Sequence, residues 1–453
     1  MGVMRLVGFM QTKREISQTE MMLLPSLEER IPADYYLRRM YRVLDLSFVH
    51  EAVRDRYCQD NGRPSVDPEV IIRLFLLQAI TGCRSVRSLL QEVDMHLGYR
   101  WFIGYGATEP LPDHSTLSKA LDRFGDEVFN ELFTRSIAQC QASGLIEGKV
   151  WHVDATTIRA DLDRNRVGQL DSADHDARFG RFPGGKLEPG YKQQTVADDA
   201  RGVVLAVAVQ AANESEHDSA VAVIDAATAH VTEPPEVVCA DGAYGSGENR
   251  AALETRGIRL VSPPPKAVTC TGAQVFTTED FRYDEPGDVF ICPAGETLSY
   301  VGGVKGRPKQ RRYAASRRVC GGCLLKSRCT RASRRQVKVG FHHAALVRLR
   351  ADSQTESFRA LYRRRAPVIE GVFAEAKQWH GLRRAWRRGL AKMRVQCLLI
   401  AAVINFKRLI TLLTVPNSLS NTLLNAIITL WRVIVALHQQ MRLINRYVLA
   451  NRW

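Results

Sequence analysis

Over the first 145 residues apolar positions recur at spacings of three and four, the period of helices. In SVDPEVIIRLFLLQAI, Pro68 follows Asp67 as a potential cap, Gly82 breaks the run, and SVRSLLQEVDMHLGYRWFIG continues as a further helix. PDHSTLSKALDRFGDEVFNELFTRSIAQCQASG repeats the amphipathic pattern behind a cap at Asp113 or Ser115. Short helices joined by glycine or polar breaks fit a helix-turn-helix-like DNA-binding domain over 1–145. A plain helical support domain fits the same pattern.

At Lys149 the period drops to two. GKVWHVDATTIRA sets Trp151 and Val153 on one strand face and His152, Asp154 and Thr156 on the other. A charged loop follows, from DLDRNR to RFPGGKLEPG. GYKQQTVADD and RGVVLAVAVQ read as two strands joined at Asp198–Gly202. A helix over 218–230, a buried strand ending at Asp241, a helix closing at Gly257 and a strand at IRLVSP complete a mixed α/β unit over 146–262. Residues 263–350 are Pro/Gly-rich, then Cys-rich, then basic, and read as an insertion with little core of its own. Residues 351–415 return to helix, with PVIEGVFAEAKQW starting at Pro367 as its first-turn proline. MRVQCLLIAAVINFKRLITLLTV reads as a largely buried helix, and 416–453 as a helical tail. No uninterrupted apolar run reaches ~18 residues, so a membrane span is not expected.

Composition is that of a globular chain, with 453 residues, 45% hydrophobic and 25% charged. Charge changes the picture more. Lys and Arg number 63 against 48 Asp and Glu, a net of +15. Residues 301–400 hold 26 basic and 4 acidic residues, a net of +22, so the rest of the chain sums to −7. A block of one sign is the footprint of a polyanion partner, since each neutralised phosphate releases condensed counterions. Arg311, Arg312, Arg317 and Arg318 lie in its densest part and are the candidate DNA contacts. The N-terminal twenty residues turn polar too early for a secretory segment, which places the ten cysteines in a reducing cytoplasm. There, Cys320-x₂-Cys323-x₅-Cys329 with Cys292 upstream is a candidate structural Zn²⁺ site in a segment short of apolar residues. Ordinary reduced thiols are the competing reading. Cys58, Cys83, Cys140, Cys239 and Cys397 sit in apolar segments and read as core.

Two acids occupy strand ends, where open α/β sheets bind ligands: Asp154 and Asp241. Hard cations demand clustered oxygen ligands, so the two together say more than either alone. Glu370 is the candidate third acid. Lys377, seven residues on, falls about 20° from it around a helix, whereas Glu375 falls about 140° away. His152 shares the strand face of Asp154 and reads as packing.

WHVDATTIRA, GYKQQTVADDARGVVLAV, VVCADGAYGS and IEGVFAEAKQWHGLRR, in that order, resemble the DDE transposases of bacterial insertion sequences. The resembling branch has an N-terminal helical domain and a Cys-rich insertion, and the likeness spans roughly residues 25–410. It implies an α/β ribonuclease-H-like catalytic core and Mg²⁺-dependent (or Mn²⁺-dependent) DNA cleavage and strand transfer. Asp154, Asp241 and Glu370 map by position onto the acidic triad and metal ligands. The implied partners are double-stranded DNA, both element ends and target, and a second copy of the chain in a synaptic dimer on the nucleoid. The family signature of Tyr, two residues, Arg, three residues, Glu, six residues, Lys is met by Tyr362-x₂-Arg365 and Glu370-x₆-Lys377, with four residues rather than three between Arg365 and Glu370. A ribonuclease-H-fold nuclease without strand transfer, and an inactive DNA-binding descendant, are the rival readings.

Overall fold

The computed structural model describes residues 26–57, 65–163, 165, 167, 174–265 and 276–414. Cys58 and the 416–453 tail fall outside them.

Eight helices come first: α1 (Leu27–Arg30), α2 (Tyr36–Val43), α3 (Val49–Val53), α4 (Pro68–Thr81), α5 (Val86–Met95), α6 (Leu97–Ile103), α7 (His114–Phe124) and α8 (Glu127–Ala142). Their ends follow the expected chemistry. Asp67 accepts the Glu69 N–H at 2.7 Å, Asp113 accepts the Ser115 N–H at 2.8 Å, and α4 stops at Gly82 with φ +68°. Of the two α7 caps considered, Asp113 is the one used.

A six-stranded sheet follows, of β1 (Val150–Arg159), β2 (Arg178–Arg181), β3 (Leu187–Asp198), β4 (Val204–Ala211), β5 (Val237–Ala240) and β6 (Arg259–Val261). Its order is β2-β3-β1-β5-β6, with β4 also paired to β3. Strands β1, β5 and β6 are parallel, while β2, β3 and β4 run antiparallel. Helix α9 (Glu216–Thr228) leads from β4 to β5, and α10 (Gly247–Glu254) connects the parallel pair β5 and β6, as the mixed pattern predicts. One segment differs: RFPGGKLEPG is not a loop but a hairpin of β2 and the start of β3, turned at Pro183–Gly185.

Residues 276–340 build a second, antiparallel sheet from β7 (Arg282–Asp284), β8 (Val289–Ile291), β9 (Thr297–Val304), β10 (Arg307–Ala314) and β11 (Gln336–Gly340), with short helices α11 (Arg317–Gly321) and α12 (Lys326–Cys329). The insertion therefore has a core after all, though a small one, around Phe281, Phe290, Leu298, Tyr313, Val337 and Val339. Alternation with Arg and Lys on the outer face masked it in a composition reading.

Helices α13 (His343–Asp352), α14 (Glu356–Trp379) and α15 (Leu390–Thr414) complete the described chain. α14 starts eleven residues before the expected Pro367, behind a Thr355 cap, and Pro367 lies inside it. The proline therefore does not reset the helix start. α15 is long and apolar enough to cross a membrane over Leu390–Leu412, but 78% of its most apolar window is buried inside the fold. It packs on α8, α4, α2 and β4 at once. Its buried Asn405 accepts the Val204 N–H at 2.8 Å and donates to the Val204 carbonyl at 2.9 Å and to Ser136 Oγ at 3.2 Å.

Candidate active site

Sheet register brings the first two acids together. Val153 stands beside Ala240 in the parallel β1–β5 pair, so Asp154 and Asp241 are the next residues on neighbouring strands. β5 ends there, and Asp241 turns the chain by accepting the Ala243 N–H at 2.9 Å. Asp154 stays in strand, opposite Thr195 of β3. Its Oδ1 accepts the Ala155 N–H at 2.8 Å, and its Oδ2 accepts from Arg365 Nη1 at 2.8 Å. Burial, and then the negative charge of Asp154, push the Asp241 carboxyl above its usual range.

Two further side chains, Tyr244 and Lys377, feel this charge, and His152 packs beside them. The Tyr244 hydroxyl is buried without a hydrogen-bond partner, and burial, then Glu216, Asp154 and Asp241, hold its proton on. Lys377 is drawn below its usual range by burial and by Arg383, against the pull of Asp154. His152, fully buried, meets Asp199 Oδ1 through Nε2 at 2.7 Å, and Asp199 in turn pairs with Arg364. Burial, then the Arg364 and Arg365 charges, lower the His152 pKa to about 4. His152 is thus a neutral packing residue, as the strand pattern suggested, and part of a clamp. Consecutive arginines of α14 are tied to Asp199 and Asp154.

Glu370 is not brought into this group. It is exposed on α14. Among the described residues no three His, Cys, Asp or Glu side chains are gathered to hold a metal ion. The Asp154–Asp241 pair has the hard-oxygen chemistry and mutual repulsion that a divalent cation relieves; Glu370 does not join it here. Tyr362 stacks on Phe358 at 6.3 Å and lies under Arg365 at 5.7 Å, so it backs the arginine. Glu375 has a different task. It is largely buried against Lys407, Arg408 and His380, whose charges and hydrogen bonds outweigh burial and hold its carboxyl well below the usual range.

The basic block divides in two. Arg317 and Arg318 are exposed at the start of α11. Arg311 is packed over the Tyr300 and Tyr313 rings at 4.7 and 5.4 Å and paired with Asp288, and Arg312 Nε is buried without a partner. The four cysteines converge: Cys292, Cys320, Cys323 and Cys329 line one cleft with Glu296, Lys326 and Arg335. Cys320 Sγ accepts the Arg335 N–H at 3.4 Å, and Cys292 closes a tight turn with Gly295 N–H at 2.8 Å. Burial raises the Cys329 thiol, with the other three cysteines adding to it. The donor set suits Zn²⁺, but the sulfurs are not closed to ligand spacing. Cys140, Cys239 and Cys397 are buried as expected, while Cys83 is only half-buried.

Sequence reading missed Asp199, Arg364 and Tyr244. The Tyr in DGAYGS and the period-two placement of His152 were the available signals.

Residues 291–410 match the family described as Transposase DDE domain, and residues 25–123 the family described as Transposase domain (DUF772). The first match includes Glu370 and all four clustered cysteines. No curated protein matches the chain. Among solved structures it is similar to a chain of the simian T-cell lymphotropic virus intasome in complex with PP2A regulatory subunit B56 gamma, at 17% identity over 43% of this chain and 52% of that one, TM-score 0.20. A piggyBac transposase synaptic complex with hairpin DNA aligns at 10% identity over 83% and 75% of the two chains, TM-score 0.38. The Mos1 transposase paired-end complex aligns at 12% identity over 45% and 61%, TM-score 0.17. The chain thus spans about half the length of the viral-complex chain and three fifths of the Mos1 chain. Superpositions this loose support no step below.

Proposed function

Because the chain belongs to the DDE transposases of insertion sequences, we propose that it cuts and joins DNA where β1 and β5 end. The observation that carries this reading is the parallel register that sets Asp154 beside Asp241. The sheet, with its antiparallel β2–β4 and parallel β1, β5 and β6, is read as a ribonuclease-H-like core. Asp154 and Asp241 would hold Mg²⁺ or Mn²⁺, which would supply the Lewis acidity that activates a water or 3′-hydroxyl and stabilises the leaving oxygen; Glu370, apart from the pair in this structure, would complete the ligand set only by moving toward it. The chain's own residues do the rest. Arg365 neutralises Asp154 and orients its Oδ2, and Lys377 and Arg383 stand ready to take a phosphate beside it. The Tyr244 hydroxyl is a buried donor facing the same charge. Helices α4–α7 would supply the helix-turn-helix-like grip on the element's inverted ends. The cysteine cleft would hold a structural Zn²⁺, and a dimer would pair two ends on the nucleoid.

Replacing Asp154, Asp241 or Glu370 by Ala tests this. Each is expected to abolish metal-dependent cleavage of a duplex carrying the element's end and to leave duplex binding intact. A strand-transfer assay on pre-cleaved ends separates a transposase from a nuclease. Full cleavage by Asp154→Ala would refute the reading.

A further inference from the structure

The face of the sheet that bears Asp154 does not stop at the acids. Across β1 and β3 it runs Asp154–Thr195, Thr156–Gln193, Ile158–Tyr191, and then across β3 and β2 it continues Pro189–Phe179 and Leu187–Arg181. Directly opposed residues share a face, so Phe179, Arg181 and Leu187 lie on the same side of the sheet as Asp154.

The middle of this face is roofed. Ile158 and Tyr191 are fully buried, and the Tyr191 hydroxyl accepts the Gly389 N–H at 3.0 Å. The roof is the segment after α14. It first runs edge to edge with β1 through Arg159 N–H to the Arg383 carbonyl at 3.2 Å and Ala385 N–H to the Arg159 carbonyl at 2.8 Å, and then passes over Tyr191 at Gly389. Outward it presents Arg383 and Arg388, both exposed, while Arg384, bridged to Arg159, faces the other side of the sheet and pairs with Asp161. At one end Arg383 donates to the Lys377 carbonyl at 3.2 Å, next to the acids. At the other end stands the β2–β3 hairpin, with Phe179, Arg181, Lys186 and Leu187 exposed.

The hairpin is firmly mounted. A Cβ at Gly180 would stand 2.5 Å from the Ala212 carbonyl, and one at Gly190 would stand 2.1 Å from that of Ile158. Only glycine allows this approach, so one side of the hairpin is pressed flat against the sheet. Its other side is held out rigidly.

Four carboxylates lie along or beside the path, each engaged: Asp174 accepts from the Tyr191 hydroxyl, Asp176 accepts the Leu390 N–H at 2.8 Å, Asp161 meets Arg84 and Arg384, and Glu188 meets Arg159. Among the described residues Arg181, Lys186, Arg383 and Arg388 meet none.

We propose that this surface, from Lys377 over Arg383 and Arg388 to the Phe179–Leu187 hairpin, is the track along which duplex DNA leaves the acids. It rests on the cleavage reading above. The charges match a phosphate backbone, and apolar side chains of the Phe179 and Leu187 kind wedge against base steps. From Thr195, opposite Asp154, to Leu187 is eight residues of strand, about 26 Å at roughly 3.3 Å each. At about 3.4 Å per base pair the hairpin meets the duplex about eight pairs from the phosphate at Asp154.

The test uses the full chain and a duplex of about 50 base pairs from the element's end, without metal, read by hydroxyl-radical footprinting and by salt-dependent anisotropy. Wild-type protein is expected to protect a patch about eight pairs from the cleaved phosphate. Arg181→Ala with Lys186→Ala should lose that patch and lower the salt slope by up to ~1.8. Phe179→Ala with Leu187→Ala should lose the patch at nearly unchanged slope. Both variants alter outward-facing residues only, and unchanged melting curves check their folds. An undiminished patch in both variants overturns the track, even if the protein cleaves DNA once Mg²⁺ is added. A patch that both variants lose, in a protein that never cleaves, keeps the track and refutes the cleavage reading. A wild-type protein that binds no duplex overturns both.

Discussion

Two glutamates five residues apart on α14 should separate stability from catalysis, and Glu375→Ala beside Glu370→Ala is the comparison to make. Glu375 is 14% exposed and pairs with Lys407 and Arg408, themselves 28% and 27% exposed, with His380 at 3.8 Å. Removing one partner of a buried pair destabilises by about 3–5 kcal/mol, because the remaining charge stays desolvated. Lys407 and Arg408 keep some water, which discounts the cost to just below that range, about 2–3 kcal/mol. Glu370 is exposed and should change stability by less than about 0.5 kcal/mol. The pH dependence carries a sign. Glu375 is held below its ordinary value of 4.5, so its stabilisation is fully present above the unfolded pKa and is lost as pH falls through the folded one. The gap between wild type and Glu375→Ala should therefore be constant at neutral pH and narrow as the solution is acidified below about 4.5. Thermal and urea unfolding across that range, with cleavage assays at neutral pH, read both halves. A Glu375→Ala protein as stable as wild type, or a gap that widens in acid, would refute the ion-pair argument.

Other outcomes follow from the same geometry. Asn405→Leu should destabilise by about 2–5 kcal/mol, since it leaves the Val204 N–H and carbonyl unpaired in the core; chemical unfolding measures it. Elemental analysis should find about one zinc per chain, and Cys323→Ser should lower it, whereas zinc-free protein with intact insertion structure would reject the site. Arg317→Ala with Arg318→Ala should lower the salt slope of DNA binding by up to ~1.8. Arg311→Ala should instead loosen the second sheet, because Arg311 is held by Asp288, Tyr300 and Tyr313.

Much of this architecture was readable from period and punctuation. The two-residue alternation around Trp151–Thr156 located β1 and the face of Asp154, and the apolar VVCA located the strand that ends at Asp241. Asp67, Gly82 and Asp113 marked helix ends because their chemistry is local. What failed depended on tertiary partners. Pro367 read as a helix start, but packing of Phe358 beneath the sheet pulls α14 back to Glu356. Helical angle placed Glu375 correctly away from Glu370, yet could not disclose that it is a buried counter-charge for α15. The β2–β3 hairpin was hidden because glycine and proline read as loop, when two of its glycines are there for close backbone approach.

The position of α15 sets a timetable for folding. It is the last described element, yet it packs on α2, α4, α8 and β4 together, and its Asn405 completes the backbone pairing of Val204. The faces of α2, α4, α8 and β4 that pack on α15 stay uncovered until residues 390–414 arrive. From the end of α8 at Ala142 to Thr414, synthesis at about 5–20 residues per second leaves these faces waiting on the order of half a minute. Such long-range closure is slow and leaves the nascent chain prone to aggregate. A chain cut before residue 390 is accordingly expected to leave the faces of α2, α4, α8 and β4 that α15 covers open to water, which limited proteolysis of the truncated protein would reveal.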